Sequence, residues 1–220
     1  MKAGRIRPRE YRGRGDIQET TRREGLPLRG LLKISDAIDA VLGAIARFFA
    51  WGLLLLVLVI VFDVITRKFG FQLSLFGIDL GSTRLQELEW HIHSIVYLTW
   101  IGYCYIRNTH VRIDVMTAHR PARTQAWLEL FGCVVFALPY ILVALPYAHN
   151  FFLTSFFQNE ASSAPNGLPW RWLTKGFLYF SFWSIFLATI SVAIRRIVFL
   201  FGSDEDAVLA MPNVSKPAAH

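Results

Sequence analysis

A polar cluster at residues 84–93 is the part of this sequence best suited to chemistry, because it reads RLQELEWHIH. On a helix, Glu87 lies three positions after Arg84 and four before His91, spacings at which side chains pair. Glu89 and His93 have the same four-residue spacing. Glu87 and Glu89 would project about 200° apart, which excludes a carboxylate pair acting together on one face. Three interpretations stay open: charges solvated or locally paired at a membrane edge, contacts to another membrane chain, or proton or ion coupling.

Three histidines suggest a different chemistry. His91 and His93 open one apolar stretch, and His149 closes the next, so all three are predicted near the same membrane surface. Two imidazoles from facing helices can hold a b-type haem, which makes a haem-containing membrane anchor for electron transfer the alternative function. Against it, no second histidine pair serves the opposite surface, and no C-x-x-C-H motif occurs.

Other enzyme signatures are missing from the sequence. It contains no H-E-x-x-H pair, no glycine-rich phosphate loop and no nucleophile elbow. The two cysteines, Cys104 and Cys133, have too few soft ligands around them for a zinc site. We therefore expect no enzymatic activity, and no catalytic, metal-binding or cofactor-binding residues in this chain.

Four long apolar stretches must position these residues. Hydrophobic residues make up 54% of the 220 and charged residues only 18%, a composition typical of integral membrane proteins. Crossing a bilayer takes about 20 mostly apolar residues in a helix. The sequence predicts an all-α integral membrane domain over residues 31–201, with four transmembrane helices at about 45–66, 85–106, 126–152 and 175–201.

The basic residues predict the orientation of these helices. Residues 1–47, 107–125 and 195–220 hold 18 of the 23 Lys and Arg residues, and the two opposite loops hold 5. Cytoplasmic loops carry the excess of positive charge, so both termini are predicted in the cytoplasm. The net charge of +7 is thus explained by membrane orientation, and nucleic acid is not an expected partner.

The segments outside the four helices have their own patterns. Residues 1–30 and 202–220 are predicted to be disordered cytoplasmic tails, the first of them basic. Between the first tail and the first crossing, apolar residues recur every three or four positions, which predicts an amphipathic interfacial helix. The stripe consists of Leu31, Ile34, Ile38, Val41, Ile45 and Phe48. Packing against lipid and docking of a partner protein are both open for it.

Several motifs together resemble a known family. They are DVITRKF at 63–69, LQELEWH at 85–91, RNTHVRIDV at 107–115, NEAS at 159–162 and GLPWRWLTK at 167–175. In order and placement they resemble the small, DctQ-type membrane subunit of tripartite ATP-independent periplasmic (TRAP) transporters, in the branch associated with organic-acid and mannitol/chloroaromatic-type substrates. Thr109 stands where that family usually has a glycine.

The resemblance implies a scaffold in a bacterial inner (cytoplasmic) membrane. A periplasmic solute-binding protein would capture the solute, and a large permease subunit would carry it inward by sodium-coupled, elevator-like motion. This chain would bind no cofactor, since sodium coupling is expected on the large partner. The candidate partner contacts are Arg67, Glu87, Glu89, His91, His110, Arg112, Asp114, Glu160, Arg171 and Lys175. Candidates for close helix packing or interhelical hydrogen bonds are Ser94, Thr99, Gly102, Ser181, Ser184, Thr189 and Ser191.

Overall fold

The described part of the chain is mostly helical and contains one small hairpin. The computed structural model describes residues 12–69, 74–75, 78–79, 82–109, 119–164 and 166–210. Its elements are α1 (Arg12–Phe69), β1 (Ser74–Leu75), β2 (Ile78–Asp79), α2 (Ser82–Ile106), α3 (Ala122–Phe131), a π-helical segment (Gly132–Ala137), α4 (Leu138–Phe157), α5 (Arg171–Phe201) and α6 (Asp204–Ala210). The strands pair antiparallel over two residues each. The prediction of a helical membrane-type chain is confirmed for these residues.

Three helices in the described part of the chain are long and apolar enough to cross a membrane. They span Leu28–Phe69, Ala122–Phe157 and Arg171–Phe201. The helix α2 has sufficient length, at 25 residues, but its first half carries Glu87, Glu89 and two histidines, which lower its hydropathy. Three of the four predicted spans therefore have the properties of a transmembrane helix, and the second stays a prediction.

The helices α1 and α2 run antiparallel in close contact. The Trp100 indole nitrogen donates to the carbonyl oxygen of Ala46 over 2.9 Å. Later in α1 and earlier in α2, Gly52 lies so near Val96 that a Cβ added to the glycine would come within 2.6 Å of a valine methyl group. Since the residue numbers rise on one helix as they fall on the other, these contacts establish the antiparallel arrangement.

The helix α5 lies at the centre of the bundle and contacts α1, α2, α3, α4 and α6. It runs parallel to α2, because Trp90 lies by Arg171 at one end and Gly102 lies by Ser184 further along. A Cβ on Gly102 would stand 2.7 Å from the Ser184 carbonyl oxygen, so only glycine permits this approach. On another side α4 runs antiparallel to α5, with the Phe152 ring stacked on Tyr179 at 6.4 Å.

A π-helical segment joins α3 and α4 into one long helix. It covers Gly132–Ala137 and ends shortly before Pro139. Because proline has no N–H, it cannot donate to the carbonyl four residues earlier, and the backbone adjusts around it. Pro146 lies inside α4 itself. The helix is thus loosened into wide turns ahead of Pro139.

The N-terminal half of α1 buries a different face from the one its apolar stripe suggests. Ile34, Val41 and Phe48 of the stripe are 52%, 57% and 71% exposed. The buried positions of this segment are Leu32, Ser35, Leu42, Gly43 and Ala46. On this face Ser35 bonds to α5 and the Ala46 carbonyl accepts from Trp100 of α2, and small side chains at such positions permit the close approach of helices. The predicted interfacial helix is also continuous with the first span inside α1.

Helices extend into both segments predicted as tails. The helix α1 begins at Arg12, within residues 1–30, and α6 occupies Asp204–Ala210, within residues 202–220. The helix α6 is held by a small apolar cluster in which Ala210 and Leu32 pack on Val198. Composition alone missed α6 because the contacts that stabilise it come from α1 and α5.

Candidate functional site

Two polar clusters lie at opposite ends of the bundle. Arg171 and Arg195 mark them on α5, about 36 Å apart at the usual helical rise of about 1.5 Å per residue. We define the Glu87 end by Arg84, Glu87, Glu160, Ser162, Leu168, Arg171 and Lys175. We define the Arg195 end by Ser35, Asp36, Asp39, Ser191 and Arg195.

Glu87 fixes the loop between α4 and α5. Its carboxylate is 8% exposed and accepts from the Ser162 hydroxyl through one oxygen and from the Leu168 N–H, at 2.5 Å, through the other. A Cβ added to Gly167 would stand 2.9 Å from that second oxygen, so the loop backbone comes directly onto the carboxylate. Nearby, Arg84 donates to the Asn166 carbonyl oxygen over 3.0 Å. The first turns of α2 thus hold a loop some eighty residues away.

An ion pair closes the same loop on α5. Lys175 donates to the Glu160 carboxylate, and the Arg171 N–H donates to the Glu160 carbonyl oxygen over 3.0 Å. The Lys175 ammonium also holds the pKa of the Glu160 carboxyl below its ordinary value of 4.5. Its nitrogen lies 4.0 Å from the centre of the Phe151 ring, which ties the pair to α4. The Glu160 carboxylate therefore stays ionised at neutral pH beside Lys175.

The neighbours of Glu87 on α2 have separate surroundings. His91 is 7% exposed, its Nδ1 lies 2.6 Å from the Glu87 carbonyl oxygen, and its ring lies 4.1 Å from that of Trp90. The buried His91 Nε2 and Glu89 Oε1 have no hydrogen-bond partner among the residues described here. Glu89 is not among the groups that bond to the loop held by Glu87, in agreement with the expected divergence of the two side chains on the helix.

Arg67, at the end of α1, pairs within its own helix. It forms an ion pair with Asp63, the one acidic residue of the first predicted span, which is 2% exposed. With its amide oxygen turned toward the guanidinium, Gln86 accepts from Arg67 at 2.9 and 3.0 Å. An arginine reaching back from a helix end in this way neutralises a carboxylate that would be costly in a bilayer.

The structure brings some of the predicted contact residues together and leaves others apart. Glu87, Glu160, Arg171 and Lys175 gather at one end of the bundle, where Arg171 is close enough to act electrostatically on both carboxylates. Other predicted contacts lie outside the described residues: His110, Arg112 and Asp114.

The Arg195 end contains residues that sequence reasoning did not select as a site. The buried Ser35 and Ser191 hydroxyls lie 2.7 Å apart, and Ser191 donates to Asp39 over 2.5 Å. Arg195 donates to Asp36 and to Asp39, each over 2.7 Å. The four-residue spacing of Ser35 and Asp39 on one helical face is the signal that could have revealed this network.

Further ion pairs surround this end. Arg29 of α1 donates to Glu205 and Asp206 of α6, each over 2.9 Å, and Arg196 of α5 pairs with Glu129 of α3. The Ser203 hydroxyl and the Arg29 guanidinium hold the pKa of Asp206 below its ordinary value of 3.8. Four helices are thereby linked to one another by charge.

The small and hydroxyl residues predicted for helix contacts have mixed roles. Ser191 bonds to α1 and Gly102 packs on Ser184, both within this chain. The hydroxyls of Thr99, Ser181 and Thr189 donate to carbonyls three or four residues earlier in their own helices. Hydroxyl side chains within helices commonly bond to the preceding turn in this way.

A b-type haem held by histidines stays a hypothesis. His149 is exposed, with its ring 5.3 Å from that of Tyr179 on α5, whereas His91 is buried beside Trp90. Over the described ranges, no group of three or more His, Cys, Asp or Glu residues is placed to hold a metal ion. His93, the third histidine of the alternative, lines a cavity together with Phe151 of α4.

Comparison with known proteins adds no relative. No protein-family model, no curated protein and no solved structure matches this chain.

Proposed function

We propose that this chain is the small membrane subunit of a TRAP-type transporter and braces the large permease subunit. The observation that carries the proposal is that hydrogen bonds and ion pairs join the helices at both ends of a closely packed bundle. Loop and helices are bonded at Glu87, and α1 and α5 are bonded at Arg195. Between these ends, Gly52 and Gly102 bring backbones together. Such a bundle resists deformation, which is the property required of the static part of an elevator.

The proposal includes four membrane crossings. At 25 residues α2 is about 37 Å long, which exceeds the roughly 30 Å hydrocarbon core of a bilayer. It lies antiparallel to α1 and parallel to α5, both apolar enough to span, so it shares their depth. Its polar residues occupy the first turns, where they meet the Glu87 end and the headgroup layer.

We place the Glu87 end outside and the Arg195 end in the cytoplasm of a bacterial inner membrane. The excess of 18 Lys and Arg residues over 5 supports this orientation. The periplasmic solute-binding protein would then meet the exposed side of the Glu87 end, where Trp90 and Trp170 are 38% and 59% exposed. An organic acid or similar solute and the coupling sodium ions would be handled by the partner proteins.

The brace requires a surface for the large subunit. Apolar side chains of α1 remain exposed beside its bonded face, among them Ile34, Val41 and Phe48. In lipid, such a surface associates with another helix by close packing rather than by the hydrophobic effect. The face opposite the α5 contact is therefore the part of α1 that we assign to lipid and partner.

Co-purification and uptake together test the proposed role. The tagged chain should co-purify with a much larger polytopic protein encoded beside it, and solute uptake should require both. Glu87→Ala should lower complex yield or uptake, because it frees the outer loop, without changing which solute is selected. Trp183→Leu, on an exposed position of α5, serves as a control for general perturbation. Uptake that persists after deletion of the chain would contradict the role, and a changed solute preference would place it in the solute path.

Cysteine labelling tests the four crossings and their orientation. A variant with Cys104 and Cys133 replaced by alanine receives one new cysteine, either Gln158→Cys in the α4–α5 loop or Arg120→Cys before α3. A membrane-impermeant maleimide added to intact cells should label the first and spare the second until the membrane is opened. Labelling of both from outside would contradict the topology.

A further inference from the structure

A lateral cleft opens between α2 and α4. Both helices pack near α5, yet no Cα atom of α4 comes within 8 Å of α2 over the described ranges, so α5 forms the floor between them. The resulting cavity measures about 260 Å³ and opens sideways from the bundle. Its walls are formed by His93, Ser94, Tyr97, Leu98, Phe151, Thr174, Lys175 and Leu178.

The polar and apolar residues of the cleft are separated along the bundle. Lys175 and His93 lie toward the Glu87 end, and the parallel course of α2 and α5 places Leu98 and Leu178 deeper. The Thr174 hydroxyl, which is buried at the cavity wall, has no hydrogen-bond partner in the part of the chain described. A ligand suited to this cleft has a polar group at one end and an apolar chain at the other.

The charges at the rim narrow the choice of ligand. Lys175 of the cleft wall is paired with Glu160 of the α4–α5 loop, which is not itself a wall residue, so the cation at the rim has an anion beside it rather than standing as a net positive charge. A zwitterionic headgroup complements such a pair, with its phosphate on the ammonium and its own ammonium on the carboxylate. A primary ammonium donates hydrogen bonds, as a lysine ammonium does, whereas a quaternary one has no N–H to donate.

We infer that the α2–α4 cleft binds a zwitterionic phospholipid with a primary ammonium, of the phosphatidylethanolamine class. The phosphate contacts Lys175 and the free Thr174 hydroxyl, the ammonium contacts Glu160, and part of one acyl chain lies along Leu98 and Leu178. The cavity is smaller than the roughly 300–1,000 Å³ pockets that enclose whole ligands, which fits partial occupancy by a lipid whose remainder stays in the bilayer. The inference rests on the membrane location in the proposed function and not on the transporter role.

Lipid analysis of the full chain tests this inference. The purified protein is reconstituted in nanodiscs with equal amounts of phosphatidylethanolamine, phosphatidylcholine and phosphatidylglycerol, extracted in mild detergent, and examined by native mass spectrometry. We expect retained phosphatidylethanolamine to exceed each of the other two about tenfold, the ratio that one charge-assisted hydrogen bond can supply. Leu178→Trp, which fills the cleft, should abolish the excess, whereas Leu142→Trp on an exposed face of α4 should preserve it.

Conservative charge variants separate the two halves of the headgroup. Glu160→Gln should reduce the preference for phosphatidylethanolamine over phosphatidylcholine, because the carboxylate that accepts from the ammonium is gone. Lys175→Gln should weaken retention of both. Size-exclusion profiles and helix content verify that each variant folds.

Three results would overturn the inference, and they differ in what else they affect. An excess of phosphatidylglycerol would indicate a simple cation site. Retention of all three lipids without preference would remove the cleft as a site while leaving the membrane location intact. Failure of the chain to enter nanodiscs would overturn the membrane location as well.

Discussion

The two ends of the bundle are stabilised in different ways. At the Glu87 end, a buried carboxylate accepts from a backbone N–H and a hydroxyl of a loop, so side chain and main chain are bonded. At the Arg195 end, side chains bond to side chains across α1 and α5, through Ser35, Ser191, Asp39 and Arg195. The first arrangement fixes the path of a connection, and the second fixes the distance between two helices.

The difference separates local from global stability. A loop released from Glu87 can move while the helices stay packed, because its contacts are confined to one end. Loss of Arg195 leaves carboxylates of α1 facing α5 without their cation, and the helices themselves must then separate or rearrange. Substitutions at the Glu87 end should therefore affect the loop, and substitutions at the Arg195 end should affect the packing of whole helices.

The largest effect is expected for Arg195→Ala. It removes two ion pairs, and Asp39, whose side chain is 22% exposed, loses its cation. We expect the free energy of unfolding in detergent to fall by about 2–3 kcal/mol, below the full cost of breaking a buried pair because the site is partly exposed. Denaturant unfolding followed by helix content measures it. Arg123→Ala, on an exposed arginine of α3, should change the unfolding free energy by less than about 0.5 kcal/mol.

The second effect, from Glu87→Gln, should be local. The amide keeps the shape of the side chain, and its oxygen can still accept from the Leu168 N–H while its NH2 group donates to the Ser162 hydroxyl. What both bonds lose is the negative charge of the carboxylate, which makes such bonds about twice as strong. Opening of the loop should become easier by about 2 kcal/mol, measured as faster hydrogen exchange of the Leu168 amide. Glu89→Gln is the matched control and should leave that amide unchanged. Equal loss of protection throughout α5 would contradict the local character of this end.

A smaller effect is expected for Gly167→Ala, which places a methyl group against the same carboxylate. Its Cβ would stand 2.9 Å from a Glu87 oxygen, closer than side chains tolerate without adjustment. We expect about 1–2 kcal/mol of destabilisation, detected by the same exchange experiment. Gly132→Ala is the control, since nothing lies within 4 Å of a Cβ there. The same Cβ would also overlap the Ser162 side chain, so unchanged loop protection in Gly167→Ala would show that Gly167 is not packed tightly against Ser162 and Glu87.

The smallest effect concerns pH, and it should affect both ends. The pKa values of Glu160 and Asp206 are lowered in the folded chain, so both groups stabilise it above their ordinary values of 4.5 and 3.8. This stability is lost as the pH falls through the folded pKa values, and little change is expected between pH 7 and about pH 5. Hydrogen exchange quenched after incubation at each pH should show α6 and the α4–α5 loop losing protection in acid. Asp206→Asn should remove the pH dependence in α6 alone; if it also did so in the loop, the ends would be coupled.

Sequence patterns predicted the helices better than their partners. The pairing of Arg84, Glu87 and His91 along α2 was a sound expectation from spacing, yet the Glu87 carboxylate and Arg84 bond to the distant loop. A backbone N–H aimed at a carboxylate competes well with a neighbouring side chain because it is already fixed in place. The spacing along one helix contains no information about which loop will cover it.

The amphipathic segment shows the same limit for packing. Its apolar stripe was identified correctly as a pattern, but the structure buries Ser35 and Ala46 and exposes Val41 and Phe48. In a water-soluble protein the larger apolar residues would be expected inside. A helix at a membrane can expose them to lipid or a partner and use small residues for its own contacts.

The sequence by itself determined that this chain is helical and that its apolar stretches are long, with charge near their ends, because apolar length and charge placement are read directly from the order of the residues. It predicted four spans, and three of them have the length and hydropathy of a membrane helix in the part of the chain described. Only the tertiary structure decided that Glu87 holds the α4–α5 loop, that Ser191 bonds to α1, and that a cleft opens beside α4. These contacts join residues far apart in the chain, and their formation depends on the distance and angle at which whole helices meet.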